Sequence, residues 1–263
     1  MDLTPFQDAL AVASGSVVGL SLGLVGGGGS ILAVPLLAYA VGLQPAHLAI
    51  GTSALAVGAN AAINLLAHAR AGTVKWRCAA VFAAAGVAGA WAGSSLGKRT
   101  DSDLLLGLFA LIMVATGIAM LRRRATPGDA AVQLTRQSAP AMLPKLVGIG
   151  AATGALAGFF GIGGGFLIVP GLVLATGMPM INAVGSSLLA VSAFGFSTAA
   201  NYALSGLIDW PVAGLFIAGG IVGGAIGTLL AHRLGSGGRL SVVFAGLIFA
   251  TAAYVGARAL GIL

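Results

Sequence analysis

A ten-residue phrase occurs twice in this chain and interrupts two long apolar segments. Residues 26–35 read GGGGSILAVP, and residues 161–170 read GIGGGFLIVP. Glycine runs and proline both disfavour an unbroken helix. Non-helical backbone at membrane depth is tolerated only where protein buries it or where it lines a water-filled cavity. Two such breaks in corresponding segments are typical of the binding sites of membrane transporters.

The surrounding sequence places the breaks in a membrane. Only 7% of the residues are charged and 58% are hydrophobic, whereas about 25% of the residues in a soluble domain are charged. The chain therefore could not cover a water-facing surface, and we predict an integral membrane protein. Its Lys and Arg residues stand at the ends of apolar segments, as topology signals do. The net charge of +7 is therefore no indication of nucleic-acid binding.

The rest of the chain is duplicated as well. Pro35 aligns with Pro170 at an offset of 135 residues, and one deletion in the next loop makes the offset 134 and places Trp76 on Trp210. The alignment covers about 100 residues, which is a specific repeat signal. We predict one membrane domain over 1–263, composed of repeat 1 at 9–121, a polar, proline-containing linker at 122–145 and repeat 2 at 146–257.

Each repeat contains four apolar segments. They cover 9–41, 46–69, 76–97 and 104–121 in repeat 1, and 146–176, 180–203, 211–231 and 239–257 in repeat 2. As one helix, the first segment would be about 50 Å long, whereas the hydrocarbon core of a bilayer is about 30 Å thick. Either it is one steeply tilted broken helix, or it is re-entrant and folds back near its glycine run.

Loop charges favour repeats of opposite orientation. Loop 70–77 carries three cations, whereas the equivalent loop near Asp209 carries no Lys or Arg. Loop 98–103 is charge-balanced, whereas its equivalent carries Arg233 and Arg239 without an acid. Under the positive-inside rule, this opposite bias favours inverted repeats. Parallel repeats with four full crossings each are the alternative, which the total charge on the two sides of the membrane barely distinguishes. The predicted fold class is an all-α membrane protein with two inverted repeats, each formed by a glycine-broken first segment and three transmembrane helices.

The glycine breaks and the polar residues near them form a candidate anion site. Backbone N–H groups converge at glycine turns and helix N-termini, where they favour an anion. Neutral hydroxyl and amide donors would hold it weakly enough for release. The predicted binding groups are the backbones of Gly28, Gly29, Ser30, Gly164 and Gly165, the hydroxyls of Thr52, Ser53, Ser186 and Ser187, and the amides of Asn60 and Asn201.

The alternative interpretation of such residues is helix packing through small side chains and hydrogen bonds between helices. Packing is favoured for the glycines spaced by four, which are Gly15, Gly19 and Gly23, Gly89, Gly93 and Gly97, and Gly150, Gly154 and Gly158. For the contiguous glycines of the two phrases, a break that lines a cavity is favoured, because packing at four-residue spacing does not require neighbouring glycines.

Several function classes are disfavoured by the sequence. It contains no nucleotide-binding motif, metal-ligand cluster or catalytic dyad, so we expect neither an enzyme nor a cofactor. No acid lies within a predicted span, which disfavours a cation pump. His68 stands near the end of a span and is expected at the membrane interface, although a role in proton coupling stays open.

The chain resembles the TauE/SafE family, also called the sulfite exporter family. This resemblance implies a multi-pass permease of the bacterial inner membrane, in a family associated with sulfite, thiosulfate, sulfonates and other small anions. In the first copy, Gly27 and Ser30 depart from the family's GxGGG pattern. The resemblance is carried by the two glycine phrases, the GTS and GSS starts at 51–53 and 185–187, and the G-x-x-x-W turns at 72–76 and 206–210.

The sequence therefore predicts a secondary transporter that moves a small anion, such as a sulfur oxyanion or an organosulfonate, by alternating access. A passive anion channel and a non-transporting membrane scaffold or subunit are the alternatives. The expected partners are the anionic substrate and the lipid bilayer, without nucleic acid. Coupling to protons and assembly into homo-oligomers stay open.

Overall fold

The computed structural model describes residues 4–122, 132–161 and 165–234, together with the isolated positions 246, 249 and 253. All regular structure within these residues is helical, which confirms the all-α prediction. Apart from those isolated positions, the predicted segment 239–257 lies outside the described residues. The helices are α1 (Pro5–Val25), α2 (Ala33–Pro35), α3 (Ala46–Arg70), α4 (Trp76–Gly97), α5 (Ser102–Arg122), α6 (Ala139–Phe160), α7 (Gly165–Thr176), α8 (Met180–Ala203) and α9 (Trp210–Leu234).

Within the described ranges, six helices are long and apolar enough to cross a membrane: α1, α3, α4, α6, α8 and α9. Helix α7 has 12 residues and is therefore about 18 Å long, too short to cross a hydrocarbon core of about 30 Å. Residues Ser30–Ala40 form a similarly short apolar stretch. The first segment of each predicted repeat thus consists of a long helix followed by a short helical piece.

The two glycine phrases end helices at aligned positions. Helix α1 ends before Gly26, whose φ is 68°, and α6 ends before Gly161, whose φ is 64°. Glycine adopts this left-handed region without the steric cost that a side chain would impose. After Gly26 the chain forms a 3-10 helix over Gly26–Leu32, then α2 and a π-helical turn over Leu36–Ala40.

Glycine ladders allow two pairs of helices to pack at backbone contact. Helix α1 packs on α9, and α4 packs on α6, in the most extensive contacts between helices of the described chain. A Cβ added to Gly19 would collide with the carbonyl oxygen of Gly220, and one added to Gly154 would collide with that of Gly86. The packing interpretation of the glycines spaced by four is therefore confirmed.

These pairs join the two predicted repeats. Helices α1 and α4 lie within repeat 1 of the sequence alignment, whereas their partners α9 and α6 lie within repeat 2. Helix α3 packs on α8, its counterpart by the same offset. The predicted repeats are therefore interlocked, and helices α3 and α8 lie against each other.

Helix α6 begins earlier than the sequence analysis predicted. It starts at Ala139, inside the segment interpreted as linker, and includes Pro140 and Pro144. Pro140 lies in the first turn, where its missing N–H would have no helical partner in any case. Pro140 is therefore compatible with the start of this helix, whereas Pro144 lies inside it.

Candidate functional site

The first helix break lies in the protein interior, against the helix that follows the second break. The 3-10 helix Gly26–Leu32 contacts α7, which begins at Gly165 directly after the second glycine run, and it also contacts α8. Ser30 and Ile31 of the first break are fully buried, as are Ile168 and Val169 of the second. Gly28 and Gly29 lie in the 3-10 helix, whereas Gly164 lies outside the described residues.

A serine from the other predicted repeat lies beside each break. The hydroxyl of Ser53 on α3 lies 2.8 Å from the carbonyl oxygen of Ile50 and 3.1 Å from that of Gly161, so its single proton is shared between two acceptors. The hydroxyl of Ser187 on α8 donates to the carbonyl of Val184 at 2.7 Å. A Cβ added to Gly26 would lie 2.9 Å from that same hydroxyl oxygen. The predicted residues Ser53 and Ser187 are thus brought together with the breaks.

This arrangement presents neutral polar groups that can change partners. Each serine hydroxyl donates to a carbonyl three residues earlier in its own helix. A carbonyl oxygen has two lone pairs, so an oxygen in a helix can keep its backbone bond when a hydroxyl turns away. The carbonyls of Ile50 and Val184 therefore keep a hydrogen bond when the hydroxyls of Ser53 and Ser187 turn toward an anion.

Thr52 and Ser186 have a different role, although each precedes one of these serines. The Thr52 hydroxyl accepts the backbone N–H of Asp209 at 2.9 Å, and the Ser186 hydroxyl accepts that of Lys75 at 2.8 Å. Asp209 and Lys75 immediately precede α9 and α4. Thr52 therefore joins α3 to the start of α9, and Ser186 joins α8 to the start of α4. Both bonds connect the two predicted repeats.

Replacing Thr52 with valine should destabilise the protein by about 0.5–1.5 kcal/mol, the usual net contribution of a hydrogen bond, because the part-buried N–H of Asp209 loses its acceptor. Thr52→Ser, which keeps the hydroxyl, is the matched control and should retain most of the stability. The measurement is the thermal unfolding midpoint of both variants in detergent. Equal midpoints for Thr52→Val and the wild type would contradict this role of Thr52.

Asn60 is a buried amide without a hydrogen-bond partner among the described residues. Its side chain is fully buried, and within the described part of the chain neither Nδ2 nor Oδ1 makes a hydrogen bond. It follows Ser53 by seven residues and so lies on the same face of α3, about 10 Å away along the helix axis. Leaving a buried polar group unsatisfied costs about 1–3 kcal/mol, so Asn60 calls for a functional explanation.

The sequence analysis missed two further buried groups of this kind, the hydroxyls of Thr198 and Tyr202 on α8. The alignment contained a signal for both. At the offset of 134, Thr198 aligns with Asn64 and Tyr202 aligns with His68, so polar residues recur at matching positions. Polar residues that recur at aligned positions inside apolar helices therefore indicate buried polar groups, just as recurring glycines indicate helix breaks or close packing.

Asn201 lies apart from the breaks. It follows Ser187 by 14 residues on α8, about 21 Å along the helix axis. Its amide donates to the hydroxyls of Ser94 and Ser95, and its Oδ1 accepts from the Lys98 ammonium at 2.7 Å. Asn201 thus joins α8 to the end of α4, and the structure does not bring it together with the other predicted site residues.

His68 lies near the end of α3, as predicted, and is enclosed by protein there. Its side chain is fully buried. Nδ1 lies 3.0 Å from the Thr73 hydroxyl, and Nε2 lies 3.3 Å from the carbonyl oxygen of Gly23 in the last turn of α1. The packing of α3 against α1 encloses the ring, which sequence position alone did not indicate.

Comparison with known proteins places this architecture in a family. A sequence profile described as "Sulfite exporter TauE/SafE" matches residues 11–255, nearly the whole chain. The chain belongs to the TauE/SafE family. No solved structure matches it.

Relatives of the TauE/SafE chain are membrane transporters by description. A "Probable membrane transporter protein" of Xylella fastidiosa (strain 9a5c) is 53% identical over 247 residues, which cover 94% of each chain. The "Probable membrane transporter protein YdhB" of Bacillus subtilis (strain 168) is 25% identical over 240 residues, covering 91% of this chain and 95% of the relative. With its six long apolar helices, this family member is a multi-pass membrane protein.

Proposed function

We propose that this TauE/SafE protein is a secondary transporter of a small anion, a sulfur oxyanion or an organosulfonate, in the bacterial inner membrane. The observation that carries the proposal is the contact of the first break with α7, together with a serine of the other repeat beside each break. A substrate there would contact groups from both repeats. Such a shared site is what alternating access requires, because the substrate stays in place while the helices around it rearrange.

The chemistry of the cluster suits an oxyanion. The hydroxyls of Ser53 and Ser187 each have one proton to donate, and the first turn of α7 has backbone N–H groups without helical acceptors. These groups are neutral, so they would bind an anion weakly enough for release, whereas a buried cation would bind it too tightly. Asn60 would then offer its amide N–H groups to the anion farther along α3.

The test is transport by variants of the two serines. We expect Ser53→Ala and Ser187→Ala each to lower the initial transport rate at subsaturating substrate at least about tenfold, and the double variant about a hundredfold. A hydrogen bond to a charged group contributes about 1.5–3 kcal/mol, and about 1.4 kcal/mol corresponds to a factor of ten. Proteoliposomes would be assayed with sulfite, thiosulfate, taurine, sulfoacetate and lactate, with and without a pH gradient.

Ser192→Ala is the matched control. Its hydroxyl donates to the carbonyl of Leu188 at 2.9 Å on the same helix as Ser187, and it is also buried. This control should transport within about twofold of the wild type. A double variant of Ser53 and Ser187 that transports like the control would refute the site. Flux without saturation or counterflow would favour a channel, and a wild-type protein that moves none of the anions would favour a scaffold.

A further inference from the structure

A cavity of ≈ 350 Å³ opens beside the turn between α3 and α4. It is lined by Lys75, Trp76, Arg77 and Cys78 on one side, and by residues 133–134 on the other. The Arg77 guanidinium donates one N–H to the carbonyl of Leu134 at 3.4 Å, which holds the two walls together. The cavity therefore joins the turn to the segment that precedes α6.

The position of Trp76 favours a cavity near the membrane surface. Trp76 is the first residue of α4, a helix that is long and apolar enough to span, and its side chain is 52% exposed. Tryptophan is enriched at the boundary between the hydrocarbon and the headgroups. We therefore expect the opening beside Trp76 to lie near the lipid headgroups.

The polar lining of the cavity favours an anion with a phosphate. Lys75 and Arg77 contribute positive charge, Gln133 contributes an exposed amide, and none of the described lining residues is acidic. A guanidinium group can bind two phosphate oxygens at once through its planar set of donors. The apolar side chains of Val74 and Leu134 complete the lining, as an amphiphilic ligand would require.

We propose that this cavity binds the phosphate of an anionic phospholipid headgroup. The bound lipid would also act on the packing between the repeats. The Lys75 N–H donates to Ser186 at 2.8 Å, and the carbonyl of Thr73 accepts from the Asn182 amide at 2.9 Å, so the turn beside the cavity is tied to the start of α8. A ligand that binds only the folded state stabilises it, so the lipid raises the unfolding temperature.

The test measures lipid binding directly and does not depend on transport. Native mass spectrometry of the purified protein would compare phosphatidylglycerol with phosphatidylcholine. One cation near an anionic lipid surface contributes a factor of about five in affinity. We therefore expect Arg77→Gln to bind phosphatidylglycerol at least about fivefold more weakly than the wild type. The matched control Arg70→Gln removes an exposed cation that does not line the cavity, and it should bind within about twofold of the wild type.

A second pair of variants tests the same cavity in case Arg77→Gln does not fold. Gln133→Glu places a negative charge in the cavity lining, whereas Gln137→Glu places one on an exposed residue outside it. Only the first should weaken phosphatidylglycerol binding and abolish the rise in unfolding temperature that the lipid produces. Wild-type binding by both Arg77→Gln and Gln133→Glu would overturn the proposal. Displacement of the lipid by inorganic phosphate would assign the cavity to a soluble anion and overturn the lipid assignment.

Discussion

A single methyl group at Gly19 is expected to prevent stable folding. The Cβ of Gly19→Ala would collide with the backbone carbonyl of Gly220 on α9, and backbone cannot move aside as a side chain can. Helices α1 and α9 would have to separate along their length. We expect a loss of about 3 kcal/mol or more, at the upper end of the effects of overpacking. Gly154→Ala, which collides with Gly86 between α4 and α6, should have the same effect.

The measurement is the yield of monodisperse protein and its unfolding midpoint in detergent. Gly148→Ala and Gly214→Ala are the matched controls, because each lies in a helix with no atom within 4 Å of an added Cβ. They should be neutral or slightly stabilising, since alanine favours a helix over glycine by up to about 1 kcal/mol. If Gly19→Ala behaves like these controls, the described contact between α1 and α9 is wrong.

Gly161→Ala should cause the second large loss, at the helix break. Two effects add at this position. The φ of 64° is unfavourable for alanine, by about 1–2 kcal/mol, and the new methyl would collide with the Cγ2 atom of Ile50. Ile50 also provides the carbonyl to which Ser53 donates, so the collision should disturb that serine.

Gly177→Ala separates the two effects. Gly177 has a φ of 73° but no atom within 4 Å of an added Cβ, so its substitution measures the backbone strain alone. We expect Gly161→Ala to unfold at a clearly lower temperature than Gly177→Ala and to lose transport activity as well. Equal unfolding midpoints for the two variants would mean that Ile50 moves aside at no loss of stability. Equal transport by the two variants would show that the break at Gly161 is not part of the substrate site.

The helix breaks and most helix bounds could be predicted from local sequence. Contiguous glycines imposed the break at Gly26, and apolar length predicted helices such as α3 and α8 within a few residues. Which helices pack together could not be predicted, because a ladder such as Gly15, Gly19 and Gly23 indicates close packing without naming its partner. The pairing of α1 with α9 depends on contacts about 200 residues apart in the chain.

The candidate site was predictable in part for a related reason. Ser53 and Ser187 were marked by the duplication, and the structure places both beside the breaks. The same pattern marked Thr52 and Ser186 equally. It could not reveal their different role, because the N–H groups that donate to their hydroxyls are more than 100 residues away in the chain. The partners of Asn201 and His68 could not be predicted for the same reason, since burial and long-range contacts decide what a polar side chain does.

The cross-repeat packing also decides which helices of the protein form closely packed units. Helices α1 and α9 meet backbone to backbone at their glycines, and the same holds for α4 and α6. Each of these tightly packed pairs contains one helix from each predicted repeat. The closely packed units of this protein are consequently not the halves of its sequence, and a single glycine substitution in one repeat is felt directly by the other.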